Sequence, residues 1–233
     1  MGNYNDFNVL KVLTRITGTL TNQTPIRIGG LREIQQGVAD ITPIKIKFGE
    51  KELPYIPGSS IKGALRSFAE AILRAKGEYV HDPWDFDAIE KEKKSGDYCL
   101  ICGIFGSTAI ASHVRIFDAY PIENPSTFLK TGVGINRDFR GAQPGVLYTE
   151  EQVSPMSKWR FKMEIINIRV FPEPDDERGK LLRNLIEMLT AGMIQIGARK
   201  TVGYGTLKLE EGKYEVFEVV NGLIKKIHEG DIK

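Results

Sequence analysis

Residues 194–205, Ile-Gln-Ile-Gly-Ala-Arg-Lys-Thr-Val-Gly-Tyr-Gly, gather three glycines (Gly197, Gly203, Gly205), two cations (Arg199, Lys200) and one aromatic (Tyr204). Glycine adopts positive φ and lets backbone approach a ligand closely. Exposed amides beside Arg and Lys make a cradle for an anion. An aromatic in the same loop can stack on a nucleobase. A plain turn is the alternative reading. A second group is Pro57-Gly-Ser-Ser-Ile-Lys-Gly63. Ser59 or Ser60 is expected to cap a helix there. The free N–H groups of a first turn and its positive dipole end suit a phosphate. Lys62 and Arg66, four apart, share one helix face. An ordinary capped helix with solvated cations is the plainer alternative.

A third group is Cys99-Leu-Ile-Cys102, half of a zinc site. A tetrahedral structural zinc needs two more ligands. The chain has three histidines, His81, His113 and His228. His81 is nearest in the same segment and is the best partner; His113 comes second. Two free buried cysteines are the alternative. A thioredoxin-like redox pair fits less well, since no strand precedes the motif.

These groups need elements to hold them. Residues 9–20 alternate partly and read as a strand. Residues 21–58 read as a long loop followed by a small hairpin through Gly49-Glu-Lys-Glu. From Ser59 or Ser60 a helix follows, with Ile61, Ala64, Leu65, Phe68, Ala69, Ile72 and Leu73 at its 3.6-residue period, ending near Gly77. Residues 77–113 read as irregular and charged, with Glu90-Lys-Glu-Lys-Lys94 a solvated face. Val114–Tyr120 reads as a strand, and the proline-rich residues 121–157 as an inserted loop or hairpin. Lys158–Phe171 alternates clearly, with Trp159, Phe161, Met163 and Ile165 on one face. Glu177–Met193 is a second helix, Thr206–Leu209 a last core strand, and the remaining residues a small hairpin or edge. Trp84 and Trp159 are expected to be packing residues. The order β-α-β-β-α-β predicts an α+β, ferredoxin-like (RRM-like) single domain with insertions at about 21–58, 77–113 and 121–157. That fold by itself assigns no function.

Composition narrows the field. The chain has 233 residues, 41% of them hydrophobic, which suits one large domain. Net charge is +2, from 32 cations against 30 anions, so nucleic-acid contact must come from a local cluster. No run approaches the roughly 18 apolar residues that span a bilayer. The polar start Met1-Gly-Asn-Tyr-Asn-Asp-Phe shows no signal peptide, and the expected location is the cytoplasm.

The glycine-rich loop and the segment Leu53–Arg66 together resemble the RAMP superfamily of CRISPR-associated proteins, in matching order from about residue 9 to residue 210. The resemblance is greatest to the subunit that repeats along the backbone of type III effector complexes. It implies guide RNA held by Ser59, Ser60, Lys62, Arg66 and the glycine loop. It implies that Asp40, the one aspartate of the loop Gly29–Asp40, cuts target RNA with a divalent ion, Mg²⁺ foremost, with Glu33 as fallback. In such chemistry the 2′-hydroxyl is the nucleophile, and a carboxylate holds the metal or helps remove the proton. Gly132–Tyr148 resembles the family's thumb, a hairpin that interrupts the guide–target duplex; Arg137 and Arg140 would hold phosphates, and Phe139 or Val146 would wedge between bases. Some resembling subunits carry zinc in the insertion that here holds Cys99 and Cys102. The implied partners are guide RNA, target RNA, other type III subunits and further copies of the chain in a filament-like backbone. A non-catalytic structural subunit is the runner-up. The guide-processing ribonuclease of the superfamily fits less, because it has two ferredoxin-like units and often a histidine near its N-terminus, and no histidine here precedes His81.

Overall fold

The structure, a computed structural model, describes residues 2–29 and 39–232. Strand β1 (Val12–Asn22) leads through a hairpin, β2 (Lys45–Phe48) and β3 (Lys51–Pro54), to helix α1 (Gly58–Ala75). Helices α2 (Phe86–Ser95) and α3 (Leu100–Phe105) follow, then β4 (Val114–Ile116) and a long hairpin, β5 (Thr127–Ile135) and β6 (Ala142–Val153). The chain continues with β7 (Lys158–Ile166), α4 (Glu177–Thr190), β8 (Ile194–Gln195), a 3₁₀ turn (Lys200–Val202), β9 (Thr206–Val220) and β10 (Leu223–Asp231). The main sheet is antiparallel in the order β10-β9-β1-β7-β4, with β8 also paired to β9. The fold is therefore mixed α and β around one antiparallel sheet. Among the described residues no helix is long and apolar enough to cross a membrane.

Alternation builds the core. Trp159, Phe161, Met163 and Ile165 of β7 are all buried, as their period of two requires, and oppose Leu20, Gly18, Ile16 and Thr14 of β1. The apolar stripe of α1 buries Ile61, Leu65, Ala69 and Leu73, and α4 buries Leu181, Leu182, Leu185, Ile186 and Leu189. Both expected helices are present. Asp176 caps α4 by accepting the Gly179 N–H at 2.7 Å.

Several boundaries differ from expectation, each for a physical reason. Neither Ser59 nor Ser60 caps α1: the N-cap is Pro57, and the Gly58 N–H instead donates to the Asp118 carboxylate at 2.8 Å. Gly58 has to be glycine, because a Cβ there would lie 2.1 Å from the Ile116 carbonyl oxygen. β7 stops at Ile166, not Phe171, because Asn167 turns left-handed and spends its side chain on Lys11 N–H and the Asp6 and Val9 carbonyls. β4 is regular only to Ile116; beyond it contact with β7 continues through isolated bonds, Phe117 N–H to the Lys162 carbonyl at 3.1 Å and Arg160 N–H to the Tyr120 carbonyl at 2.8 Å, while Ala119 also bridges Ile56. The segment 77–113 is not irregular, since it carries α2 and α3. β9 runs to Val220, well past Leu209, and turns into β10 through Asn221-Gly222, both at positive φ. Asn-Gly is the favoured pair for such a two-residue hairpin turn.

Candidate functional site

The glycine loop follows β8 and is tied to the start of the β1–β2 connection. Ala198 N–H donates to the Arg27 carbonyl and Gly205 N–H to the Pro25 carbonyl, both at 2.9 Å. Gly197 (φ +81°) and Gly205 (φ +81°) serve the loop's own packing: a Cβ would come within 2.4 Å of the Arg27 oxygen or 1.9 Å of the Ile196 oxygen. Gly203 (φ +84°) faces open space, where a Cβ would meet no atom within 4 Å. Gly205→Ala should therefore lose more than the roughly 1–2 kcal/mol of a left-handed residue, while Gly203→Ala loses about that penalty alone. Thermal melts should place the Gly205 variant clearly below the Gly203 variant; equal midpoints would contradict this assignment.

Side chains of the loop divide into two sets. Lys200 is exposed. Arg199 is committed within the protein: its Nε lies 2.6 Å and its Nη2 3.1 Å from the carboxylate of Glu150, and its guanidinium sits over the Tyr148 ring. Those bonds to Glu150 and Tyr148 raise its pKa above the ordinary arginine value. Glu150 is only 3% exposed, and Arg27 approaches its other side at 3.4 Å. Burial pushes the Glu150 carboxyl up, but the Arg199 hydrogen bond and the charges of Arg27 and Arg199 outweigh it and hold the pKa low. Tyr204 meets Lys130 of β5, whose ammonium lies 4.7 Å from the ring centroid and bonds to the hydroxyl.

At the α1 start, Ser59 and Lys62 line a cavity of about 690 Å³ together with Phe7, Ser112, Arg115 and Phe117. Burial first, and the Arg66 charge second, lower the Lys62 pKa. Arg66 does not share that opening. Its Nε pairs with Glu70 at 2.8 Å and its Nη1 donates to the Gly106 carbonyl at 3.0 Å, tying α1 to the end of α3. The Asp118 carboxylate at the Gly58 N–H already occupies part of the dipole end expected to receive a phosphate. Ser60 is half-buried.

Asp40 sits against β6. Its N–H donates to the Thr149 carbonyl at 2.8 Å, and its Oδ2 accepts the Thr149 N–H at 2.7 Å. Next to it, Ile41 forms a parallel bridge with Glu150. Glu33 lies outside the described residues. Arg137 and Arg140 are exposed at the tip of the β5–β6 hairpin, where Phe139 is 63% exposed and Val146 is exposed nearby. The hairpin expected in residues 121–157 is thus present, with its cations and apolar side chains facing solvent.

The two cysteines close a cluster. One donor atom each from His81, Glu92, Cys99 and Cys102 lie within 4.8 Å of one another, and all four residues are buried. Cys102 Sγ is 3.3 Å and Glu92 Oε1 3.2 Å from His81 Nε2. Glu92 Oε1 also accepts the Cys99 N–H at 2.8 Å, while Oε2 is buried without a partner. Hydrogen bonding between the two sulfurs lowers the Cys99 pKa and, with burial, raises that of Cys102. A buried carboxylate with an unpaired oxygen is costly unless a cation joins it. Two sulfurs, an imidazole and a carboxylate are a tetrahedral donor set for Zn²⁺. Glu92 corrects the expectation of a solvated run: at 2% exposure it lies inside, while Glu90, Lys91, Lys93 and Lys94 are exposed as expected. The available signal was its place three and four residues after Ile89 and Ala88, the buried stripe of α2. His113 is elsewhere, bonded to Asp6 at 3.0 Å. Trp84 is a second correction, being 71% exposed, whereas Trp159 is buried and donates to Asn22 at 3.0 Å.

The family described as the RAMP superfamily matches residues 19–208. The chain is similar to the protein named CRISPR system Cms endoribonuclease Csm3 of Methanocaldococcus jannaschii, at 31% identity over 224 residues, covering 88% of this chain and 81% of that one. It is also similar to the protein named CRISPR system Cms protein Csm5 of Streptococcus thermophilus, at 25% identity over 180 residues, covering 72% of this chain and 42% of that one.

Proposed function

This chain belongs to the RAMP superfamily, and on that premise we propose that it is a guide-RNA-binding backbone subunit of a type III CRISPR effector complex that cuts guide-paired target RNA. Its partners would be guide RNA, target RNA, other type III subunits and further copies of itself, in the cytoplasm. The order β1-α1-β4-β7-α4-β9 and the strand order β9-β1-β7-β4 support a ferredoxin-like core beneath the insertions. One observation carries the reading: Asp40 and the glycine loop's Arg199 meet consecutive residues of β6, Thr149 and Glu150, at the root of the exposed hairpin.

The chemistry follows from that placement. A target 2′-oxygen would attack the adjacent phosphorus to form a 2′,3′-cyclic phosphate; the bond to the 5′-oxygen breaks and that oxygen takes a proton from water, while Asp40 would accept the 2′ proton or hold the metal. A bound Mg²⁺ would supply charge stabilisation at the phosphate. Cys99, Cys102, His81 and Glu92 would hold a structural Zn²⁺ that pins α2 and α3. The protein assembled with guide RNA should cut labelled complementary RNA at a regular interval; binding without cutting would favour the second reading, a non-catalytic structural subunit. That second reading draws on one observation, the Thr149 N–H that Asp40 already accepts, which is a turn role requiring no chemistry.

Guide contact would rest on backbone phosphates through Lys62 and Lys200, with Arg137 and Arg140 at the hairpin tip. Lys62→Ala and Lys200→Ala should each weaken binding alike for all guide sequences and reduce the salt slope by roughly 0.7. Arg66→Ala and Arg199→Ala should instead lower thermal stability, because both cations are spent on Glu70 and Glu150. A sequence-selective loss at Lys62 or Lys200 would point to base readout and against this assignment.

A further inference from the structure

The root of the β5–β6 hairpin is held from two sides at four consecutive rungs, Leu129↔Glu151, Lys130↔Glu150, Thr131↔Thr149 and Gly132↔Tyr148. On one side stands the glycine loop: Arg199 reaches Glu150 and Tyr148, and Tyr204 reaches Lys130. On the other stands the Asp40 segment: Asp40 exchanges two hydrogen bonds with Thr149, and Glu151 N–H donates to the Ile41 carbonyl at 3.0 Å. Glu150 belongs to both sides, since its side chain faces Arg27 and Arg199 while its backbone bridges Ile41.

We propose that Glu150 is a positioning residue for RNA cleavage: clamped by Arg27 and Arg199, it fixes the β6 backbone on which the Asp40 carboxylate is seated. The proposal rests on the reading of Asp40 as the cutting residue. Two features argue that the clamp does more than stabilise. The Asp40 carboxylate is oriented by a backbone N–H one residue from Glu150, so a shift of β6 moves that carboxylate directly. The clamp also joins the loop expected to hold the guide to the strand that seats Asp40. A rigid side-chain fork suits this task, because the two-point Arg199–Glu150 contact fixes orientation as well as distance.

The experiment uses the guide-loaded complex containing Glu150→Gln, with Arg199→Lys as the second variant. Glu150→Gln keeps the shape and removes the charge; Arg199→Lys keeps a charge and removes the fork. The single-turnover cutting rate at saturating target should fall about 10- to 100-fold, the scale of an angstrom-level misplacement, while guide retention and target Kd stay unchanged. Hydrogen exchange should rise at the Asp40 and Thr149 amides and stay level across β7. A wild-type rate with unchanged exchange would overturn the proposal. So would parallel loss of guide binding and cutting, or failure of both variants to fold, each of which would make Glu150 a stability residue. If Asp40→Ala cuts normally, the assignment of cutting to Asp40 fails, and the exchange result alone then decides whether Glu150 seats that segment.

Discussion

Asp40→Ala should reduce cutting of guide-paired RNA by about 10²–10⁴-fold, the span commonly lost with a general acid or base, while target affinity stays level or rises slightly. Affinity should not fall because the substitution removes a negative charge beside an RNA path. The side chain also accepts the Thr149 N–H, so alanine alone mixes two roles. Asp40→Asn separates them: its amide oxygen keeps the hydrogen bond to Thr149 and drops the charge. Both variants should be equally slow in single-turnover assays, and wild-type cutting should need a divalent ion. An active Asn variant beside an inactive Ala variant would reduce Asp40 to a turn residue. Wild-type rates in both would end the assignment.

The purified protein should carry about one zinc per chain, and losing it should melt the α2–α3 insertion. Ile101, Ile104 and Phe105 of α3 belong to the main core, so the loss should spread beyond the insertion. Breaking a compensated buried charge site costs about 3–5 kcal/mol. At about 2–4 °C per kcal/mol for a chain of this size, chelator added before heating should lower the wild-type midpoint by roughly 10 °C. Glu92→Gln should start from a lower midpoint and respond much less to chelator. Metal-free protein with a chelator-insensitive melt would show four buried side chains satisfying one another without a metal.

Local order was legible in the sequence wherever one element carries its own signal. The stripe Ile61–Leu73, the alternation Trp159–Ile165 and the stripe Leu181–Leu189 were each readable because burial repeats with the period of the element. The two-cysteine spacing and the glycine-rich loop were readable for a similar reason, since their chemistry lies within a few residues. The sequence by itself also ranked His81 first, ahead of His113, as the cysteines' partner and read residues 121–157 as an inserted loop or hairpin.

Tertiary structure alone decided which of those side chains remain available. Arg66 and Arg199 looked equivalent to Lys62 and Lys200 as solvated cations. Only the fold brings Gly106 to Arg66 across forty positions and Glu150 to Arg199 across forty-nine. It likewise turns Glu92 inward among charged neighbours, and gives the N-terminus of α1 to Asp118 rather than to its own serines. A charged side chain carries no local mark of the partner it will meet. That choice is made when distant backbone segments pack and each buried charge must find its counter-charge or its metal.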